Sequence, residues 1–297
     1  MTTGMTGAKD LLSGKGHRDE NFPVASKLIR AQHRPAILAF YRFARAADDV
    51  ADHPNAPAEE KLRLLEEFRA SLAGEADSAE PAVALREVLK TRWLSAQHGL
   101  DLLEAFRRDV TVLRYRDWNA LMDYCRYSAM PVGRFVLDVH GEDPGTWPAN
   151  DALCAALQVI NHLQDCKKDH RDLDRVYIPM EAMWAEGIGP EALIADAASP
   201  ALERVIRNLA RRTKSLLVYS KTFAGQISDA RLSFEVTVIQ TLAEDLATRL
   251  TRRDPLSERV HHNKLNLIPL FMGASLRFAA TRLGRKRSGL ELASGRQ

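Results

Sequence analysis

The chain has only three cysteines in 297 residues, Cys125, Cys154 and Cys166, and none stands in a CxxC pair. That excludes a disulfide framework and the spacing of a structural zinc site, and it suits a reducing cytoplasm. No stretch reaches the roughly 20 apolar residues of a membrane span. The richest, Leu265 to Leu276, is shorter and is interrupted by Asn266, Pro269 and Gly273. Met1 to Gly16 lacks the apolar core of a secretory signal, so a cytoplasmic protein is expected. Gly187 and Gly189 supply a GxG with no third glycine and no preceding strand pattern, and no Walker A sequence occurs. Neither NAD(P)H nor a P-loop nucleotide is therefore expected. A formal charge of +3 is too small for this length to point to nucleic acid. No Pro/Gly/Ser-rich linker divides the sequence, which predicts one domain over residues 1–284 and a basic tail over 285–297. That tail follows Arg282 and contains Arg285, Lys286 and Arg287. It is either a solvated end or a peripheral contact with an anionic membrane surface, such as the inner membrane face.

What the sequence does have is helical periodicity throughout. The pattern predicts helices over 34–53, 59–73, 81–98, 100–114, 117–140, 151–171, 201–225, 229–250 and 266–283, with turn residues between them. Asp151 and Asp229 read as N-caps. The sum is an all-α domain. Within 117–140, Pro131 cannot donate to the carbonyl of Tyr127 and predicts a kink. Ala129 and Gly133 beside it either open space for a ligand or allow close helix packing.

Two segments repeat one acidic pattern, Asp48-Asp49-Val50-Ala51-Asp52 and Asp165-Cys166-Lys167-Lys168-Asp169. Residues four apart on a helix share a face and are separated by about 6 Å along the axis. At 100° per residue, Arg45, Asp48 and Asp52 lie within about 40° of Tyr41. The other faces of that helix carry Ile37, Leu38, Phe40, Phe43, Ala44, Ala46 and Ala47. On the second helix, Asn161, Asp165 and Asp169 lie within about 60° of Gln158. Helices that are apolar almost all round are buried, and buried carboxylates are costly unless paired or bound to metal. A lone pair of this kind is most often a solvated helix end with ordinary ion pairs. Two copies, each continuing a polar stripe along an apolar helix, favour a site of oxygen ligands. Such a site suits a hard cation such as Mg²⁺, with phosphate oxygens completing the shell. His261 and His262 are adjacent, so they do not share a helical face and no metal role is expected of them. Arg252, Arg253 and Lys264 are candidate phosphate partners or surface charges. The four tryptophans read as core or rim aromatics.

The segment Phe40 to Asp52 resembles the first aspartate-rich motif of the squalene and phytoene synthases. Asn161 to Asp169, followed by Asp174-Arg175-Val176-Tyr177-Ile178-Pro179, resembles their second. The resemblance runs from about Asn21 to about Lys264. Three stretches are similar to the bacterial hydroxysqualene synthase branch of hopanoid biosynthesis: Gly14 to Ser26, Tyr124 to Gly133 and Asn161 to Cys166. Phytoene and presqualene diphosphate synthases usually carry a Val-Ala-Gly type of sequence where this chain has Ser128-Ala129-Met130-Pro131.

The resemblance implies an isoprenoid synthase fold around a central apolar cavity. It implies that Asp48, Asp52, Asp165 and Asp169 bind a diphosphate through Mg²⁺. It places Tyr41, Arg45, Gln158, Asn161, Arg175 and Tyr177 at the cavity mouth as substrate-binding residues. The implied reaction converts presqualene diphosphate and water to hydroxysqualene and diphosphate without NAD(P)H. The implied partners are that lipid and other enzymes of the squalene pathway. Two alternatives stand beside this reading. One is a head-to-head prenyltransferase making presqualene diphosphate or phytoene. The other is a non-catalytic helical assembly subunit, against which the intact acidic pairs count.

Overall fold

The computed structural model describes residues 29–263, 267–280 and 282. The Gly14 to Ser26 stretch, Lys264 and the 285–297 tail lie outside the described residues. Among the described residues every regular element is helical, apart from one isolated parallel bridge between Arg114 and Val176. The long helices are α1 (Arg34–Asp52), α2 (Ala58–Ala73), α3 (Glu80–Arg92), α4 (Gln97–Thr111), α5 (Trp118–Ser128), α6 (Met130–His140), α7 (Trp147–Leu173), α9 (Pro200–Tyr219) and α11 (Ala230–Leu250). Short helices α8 (Met180–Trp184) and α10 (Phe223–Gln226) join them, and α12 covers 267–280.

Two apolar cores organise these helices. In one, Phe40 and Phe43 of α1 pack with Leu64, Leu65 and Phe68 of α2, Leu85 of α3 and Leu102 and Leu103 of α4. In the other, Val159, Ile160 and Leu163 of α7 pack with Leu121 of α5, Leu202 and Leu209 of α9 and Leu246 of α11. α6 ties the two together: Phe135 stacks on Phe40 with ring centroids 4.0 Å apart, while Leu137 joins the second core.

The expected kink is a full break. α5 ends at Ser128, Ala129 leaves ideal helical geometry at φ −117°, and α6 restarts with Pro131 in its first turn. A proline is tolerated there because a first-turn N–H has no helical partner to lose. Gly133 serves both of the readings left open above. It lines a cavity, and a Cβ on it would meet Asn150 Oδ1 at 2.0 Å and Cys154 Sγ at 2.6 Å. Only glycine allows α6 to lie this close to α7.

Asp229 caps α11 as expected, accepting from Arg231 N at 2.8 Å and Leu232 N at 3.1 Å. Asp151 does not cap α7, which starts four residues earlier at Trp147 with Pro148 in its first turn. Proline's fixed φ favours that earlier start, and the Asp151 carboxylate instead accepts from Arg134 Nε at 2.9 Å. The stretch expected as one helix over 81–98 is broken at Trp93, which takes a left-handed φ of 57°. The stretch expected over 201–225 breaks at Ser220–Thr222, a tight turn between α9 and α10.

Candidate active site

α1 and α7 line an apolar cavity and then carry their acidic groups beyond it. The cavity encloses about 1250 Å³ including its open mouth. Phe40, Tyr41 and Ala44 of α1 line it, as do Cys154 and Leu157 of α7, Val132 and Val136 of α6, and Leu232, Val236 and Ile239 of α11. Asp48 stands one turn beyond Ala44 and Asp52 two turns. Asn161 stands one turn beyond Leu157, Asp165 two and Asp169 three. The same spacing that puts these groups in line in the sequence carries each acidic segment past the residues of its helix that line the cavity.

The first acidic end holds its own cations. Arg45 Nη1 donates to Asp48 Oδ2 at 3.2 Å, and Arg45 Nε lies 3.5 Å from Asp49 Oδ1. These do not neutralise the site. Loss of solvation raises the Asp48 carboxyl above its usual range, the neighbouring Asp52 raises it further, and Arg45 opposes both. Asp165 is raised in the same way, by burial and then by Asp169, against Lys168, His261 and His162. At each end burial and a like-charged neighbour thus disfavour the ionised carboxylate.

Arg175 and Tyr177 link the second motif to the first. Asp174 ends α7 in a left-handed conformation at φ 51°, held by Arg114 Nη2 at 2.5 Å. The following residues run beside the α4–α5 connection, with Val176 N donating to Leu113 O at 2.9 Å and Met180 N to Tyr115 O at 2.9 Å. Buried Arg175 then donates to Asp52 Oδ1 at 2.5 Å, Ala51 O at 3.0 Å and Asp109 O at 2.8 Å. Tyr177 stacks on His162 with centroids 3.6 Å apart and donates to Asp109 Oδ1 at 2.7 Å. His162 Nδ1 lies 3.9 Å from Asp169 Oδ2, and Gln158 Nε2 lies 3.1 Å from His162 Nε2. A continuous chain of contacts therefore runs from Asp52 through Arg175, Asp109, Tyr177 and His162 to Asp169.

Sequence reading missed two buried acids. Asp109 accepts from both Tyr177 and Tyr124, the latter at 3.0 Å. Burial pushes it up to about 6, against the pull of Arg175 and the two hydroxyls. Glu235 is the only carboxylate in the cavity wall among the described residues. Both stand on apolar stripes, Asp109 with Leu102 and Ala105, Glu235 with Leu232, Val236 and Ile239. That pattern was the available signal. His262 pairs with Asp245 at 2.9 Å, and His261 sits in a small cleft with Asp165.

Among the described residues no three His, Cys, Asp or Glu side chains converge as a ready-made metal cage. The donor set still fits Mg²⁺. It offers carboxylate oxygens in pairs, two of the carboxyls are raised by burial and by a neighbouring aspartate, and phosphate oxygens normally fill the rest of such a shell.

The all-α arrangement of helices around an apolar cavity is the isoprenoid synthase fold. The chain belongs to the squalene/phytoene synthase family, whose pattern it matches over residues 16–266. It is 58% identical over 265 residues to a hydroxysqualene synthase of Zymomonas mobilis, covering 89% of each chain. To a presqualene diphosphate synthase of the same organism it is 29% identical over 204 residues, covering 67% of this chain and 69% of the other. Its structure is similar to the crystal structure of squalene synthase HpnC from Alicyclobacillus acidocaldarius. There the TM-score is 0.69 at 32% identity, covering 82% of this chain and 92% of that one.

Proposed function

We propose that the protein converts presqualene diphosphate and water to hydroxysqualene and diphosphate, as a step of squalene and hopanoid biosynthesis in the cytoplasm. The observation that carries this is the contrast between two enzymes of one organism, 58% identity to the hydroxysqualene synthase against 29% to the presqualene diphosphate synthase. The apolar cavity suits a long isoprenoid chain, and the acidic ends beyond it suit a diphosphate head. Asp48, Asp52, Asp165 and Asp169 would hold Mg²⁺, which when bound supplies positive charge against the departing diphosphate.

The chain's own residues do the rest. Arg175 fixes Asp52, and the Asp109–Tyr177–His162 stack fixes the second acidic end. Tyr41 closes the polar stripe at the cavity wall. The aliphatic lining keeps bulk water from the cation, so that a single water can capture it. Capture forms the new C–O bond and leaves a proton on that oxygen. Glu235 is the carboxylate placed in the wall to take it. Cys154 is not, because burial pushes its thiol up to about 12, and Asn150 already bonds Asp151 Oδ1 at 3.1 Å.

Incubation with presqualene diphosphate and Mg²⁺ in ¹⁸O-labelled water tests the reaction. An alcohol carrying the label in its hydroxyl is expected, and added NADPH is expected to change nothing. Squalene formed only with NADPH would mean a reductive enzyme. Consumption of farnesyl diphosphate with presqualene diphosphate untouched would mean a condensing one. A second measurement isolates Glu235. Capture of a carbocation is fast, so Glu235→Gln is expected to keep diphosphate release within about 10-fold while lowering the alcohol's share of the products, since a positioned base contributes about 100-fold or more to such a transfer. An unchanged product profile would remove Glu235 from the reaction.

A further inference from the structure

One face of the molecule is apolar and uncovered. In α12 the inner side is fixed by Phe271 and Phe278, whose rings meet Phe234 of α11 edge-on with centroids 5.5 and 5.3 Å away, and by fully buried Ala274. Arg277 Nη1 bonds Glu244 Oε2 at 2.7 Å. The outer side carries Ile268, Met272 and Leu276, exposed by 62%, 63% and 73%. Their spacing of four residues lines them along one stripe, with Ala279 and Ala280 beyond also exposed. A helix that is apolar on every side is normally buried. Here one side meets α11 and the other meets nothing within the described residues.

We infer that this stripe rests on an anionic lipid surface. Charge decides the occupant. From Arg259 to Leu290 the sequence has no Asp or Glu and seven basic residues: Arg259, Lys264, Arg277, Arg282, Arg285, Lys286 and Arg287. A second copy would bring this basic segment against itself, whereas an anionic surface complements it. A membrane rich in anionic headgroups attracts each basic group, while the apolar stripe enters the acyl boundary. No helix among the described residues is long and apolar enough to cross a membrane, so the contact is parallel to the surface.

The placement also serves the cavity. Phe234 faces α12, while Leu232, Glu235, Val236 and Ile239 of the same helix face the cavity. Only α12 itself and α11 therefore lie between the lipid-facing stripe and the space proposed for the isoprenoid chain. A substrate of that kind dissolves in the bilayer, and this contact would hold the cavity close to its supply. This last point rests on the proposed function; the membrane contact itself does not.

Co-sedimentation of the full chain with vesicles tests it. Vesicles of phosphatidylglycerol and phosphatidylcholine in equal parts are expected to bind the protein at least 10-fold more tightly than pure phosphatidylcholine, with binding weakened by salt. The triple variant Ile268→Asp, Met272→Asp and Leu276→Asp is expected to lose at least 10-fold in that binding. Its turnover of detergent-dispersed substrate should stay within about 3-fold. A milder variant, Leu276→Trp, guards against misfolding of the triple: its added fluorescence should shift to the blue and be quenched by brominated lipid. Absence of wild-type binding to the anionic vesicles would overturn the inference, as would a Leu276→Trp signal indifferent to lipid. A dimer in solution that the triple variant dissociates would assign the stripe to a second copy instead.

Discussion

Asp48→Asn and Asp165→Asn are each expected to cut turnover of presqualene diphosphate by about 100-fold or more while leaving the fold no less stable. The rate loss follows from removing one anionic ligand from the proposed diphosphate site: weakening a metal's surroundings commonly costs about 10- to 100-fold, and losing one preorganised charge contact about 100- to 1,000-fold. The stability result follows from the sign of the carboxyl shifts. Asp48 and Asp165 are both raised in the folded protein, first by burial and then by their partner aspartates. A carboxyl with a raised folded pKa binds more protons folded than unfolded, so its contribution turns unfavourable as pH rises from the ordinary carboxylate value to the folded one. At neutral pH the charge is therefore a cost that Arg45 does not cancel, and asparagine removes it. Steady-state turnover and thermal unfolding at pH 7.5 check both halves. Mg²⁺ with inorganic diphosphate should raise the unfolding temperature of the wild type, and of neither variant to the same degree. Near-normal turnover in both variants would remove these carboxylates from the site. A large fall in unfolding temperature would make them structural.

The two acidic stripes were legible before the structure because each runs against the packing of its helix. A polar stripe from Tyr41 to Asp52, or from Gln158 to Asp169, crosses helices whose buried residues are mostly Ala, Leu, Ile, Val and Phe. Such a stripe is unfavourable for packing alone. The break at Ala129–Pro131 was legible for a local reason, the missing N–H of one proline. Asp151 misled because the N-cap rule is also local, and at this position Pro148 and the Arg134 ion pair prevail over it. The support beneath the site was not legible, since its partners are far apart in the chain. Arg175 bonds Asp52 across 123 residues and the Asp109 carbonyl across 66. No periodicity reports such a pairing. The acids Asp109 and Glu235 gave only the weaker sign of a single charge on an apolar face, and one such residue does not name its partner.

Arg175 itself carries the largest expected effect on stability. Arg175→Met is expected to destabilise the protein by about 3–5 kcal/mol, the usual cost of removing one member of a buried charged network. Its end at Asp52 is partly exposed and contributes little. The buried end decides the outcome: two backbone carbonyls, of Ala51 and Asp109, lose their donor, and the Asp109 carboxylate loses its nearest positive charge. The unfolding temperature should fall by about 6–20 °C, taking roughly 2–4 °C per kcal/mol for a chain of this size class. Arg175→Lys keeps the charge, but its one nitrogen cannot span three acceptors that Nε, Nη1 and Nη2 reach separately, so it should recover part of the stability and little of the turnover. The pH dependence tells the charge from the hydrogen bonds. Asp109 already stands at about 6 in the wild type, and without Arg175 it rises further. The ionised form is then penalised most above that value, so the deficit of Arg175→Met should be full at pH 7.5 and smaller at pH 5.5. Denaturant unfolding at the two pH values measures it. A deficit equal at both would leave only the carbonyl contacts, and Asp109 would not be the group that Arg175 keeps charged beneath the proposed diphosphate site.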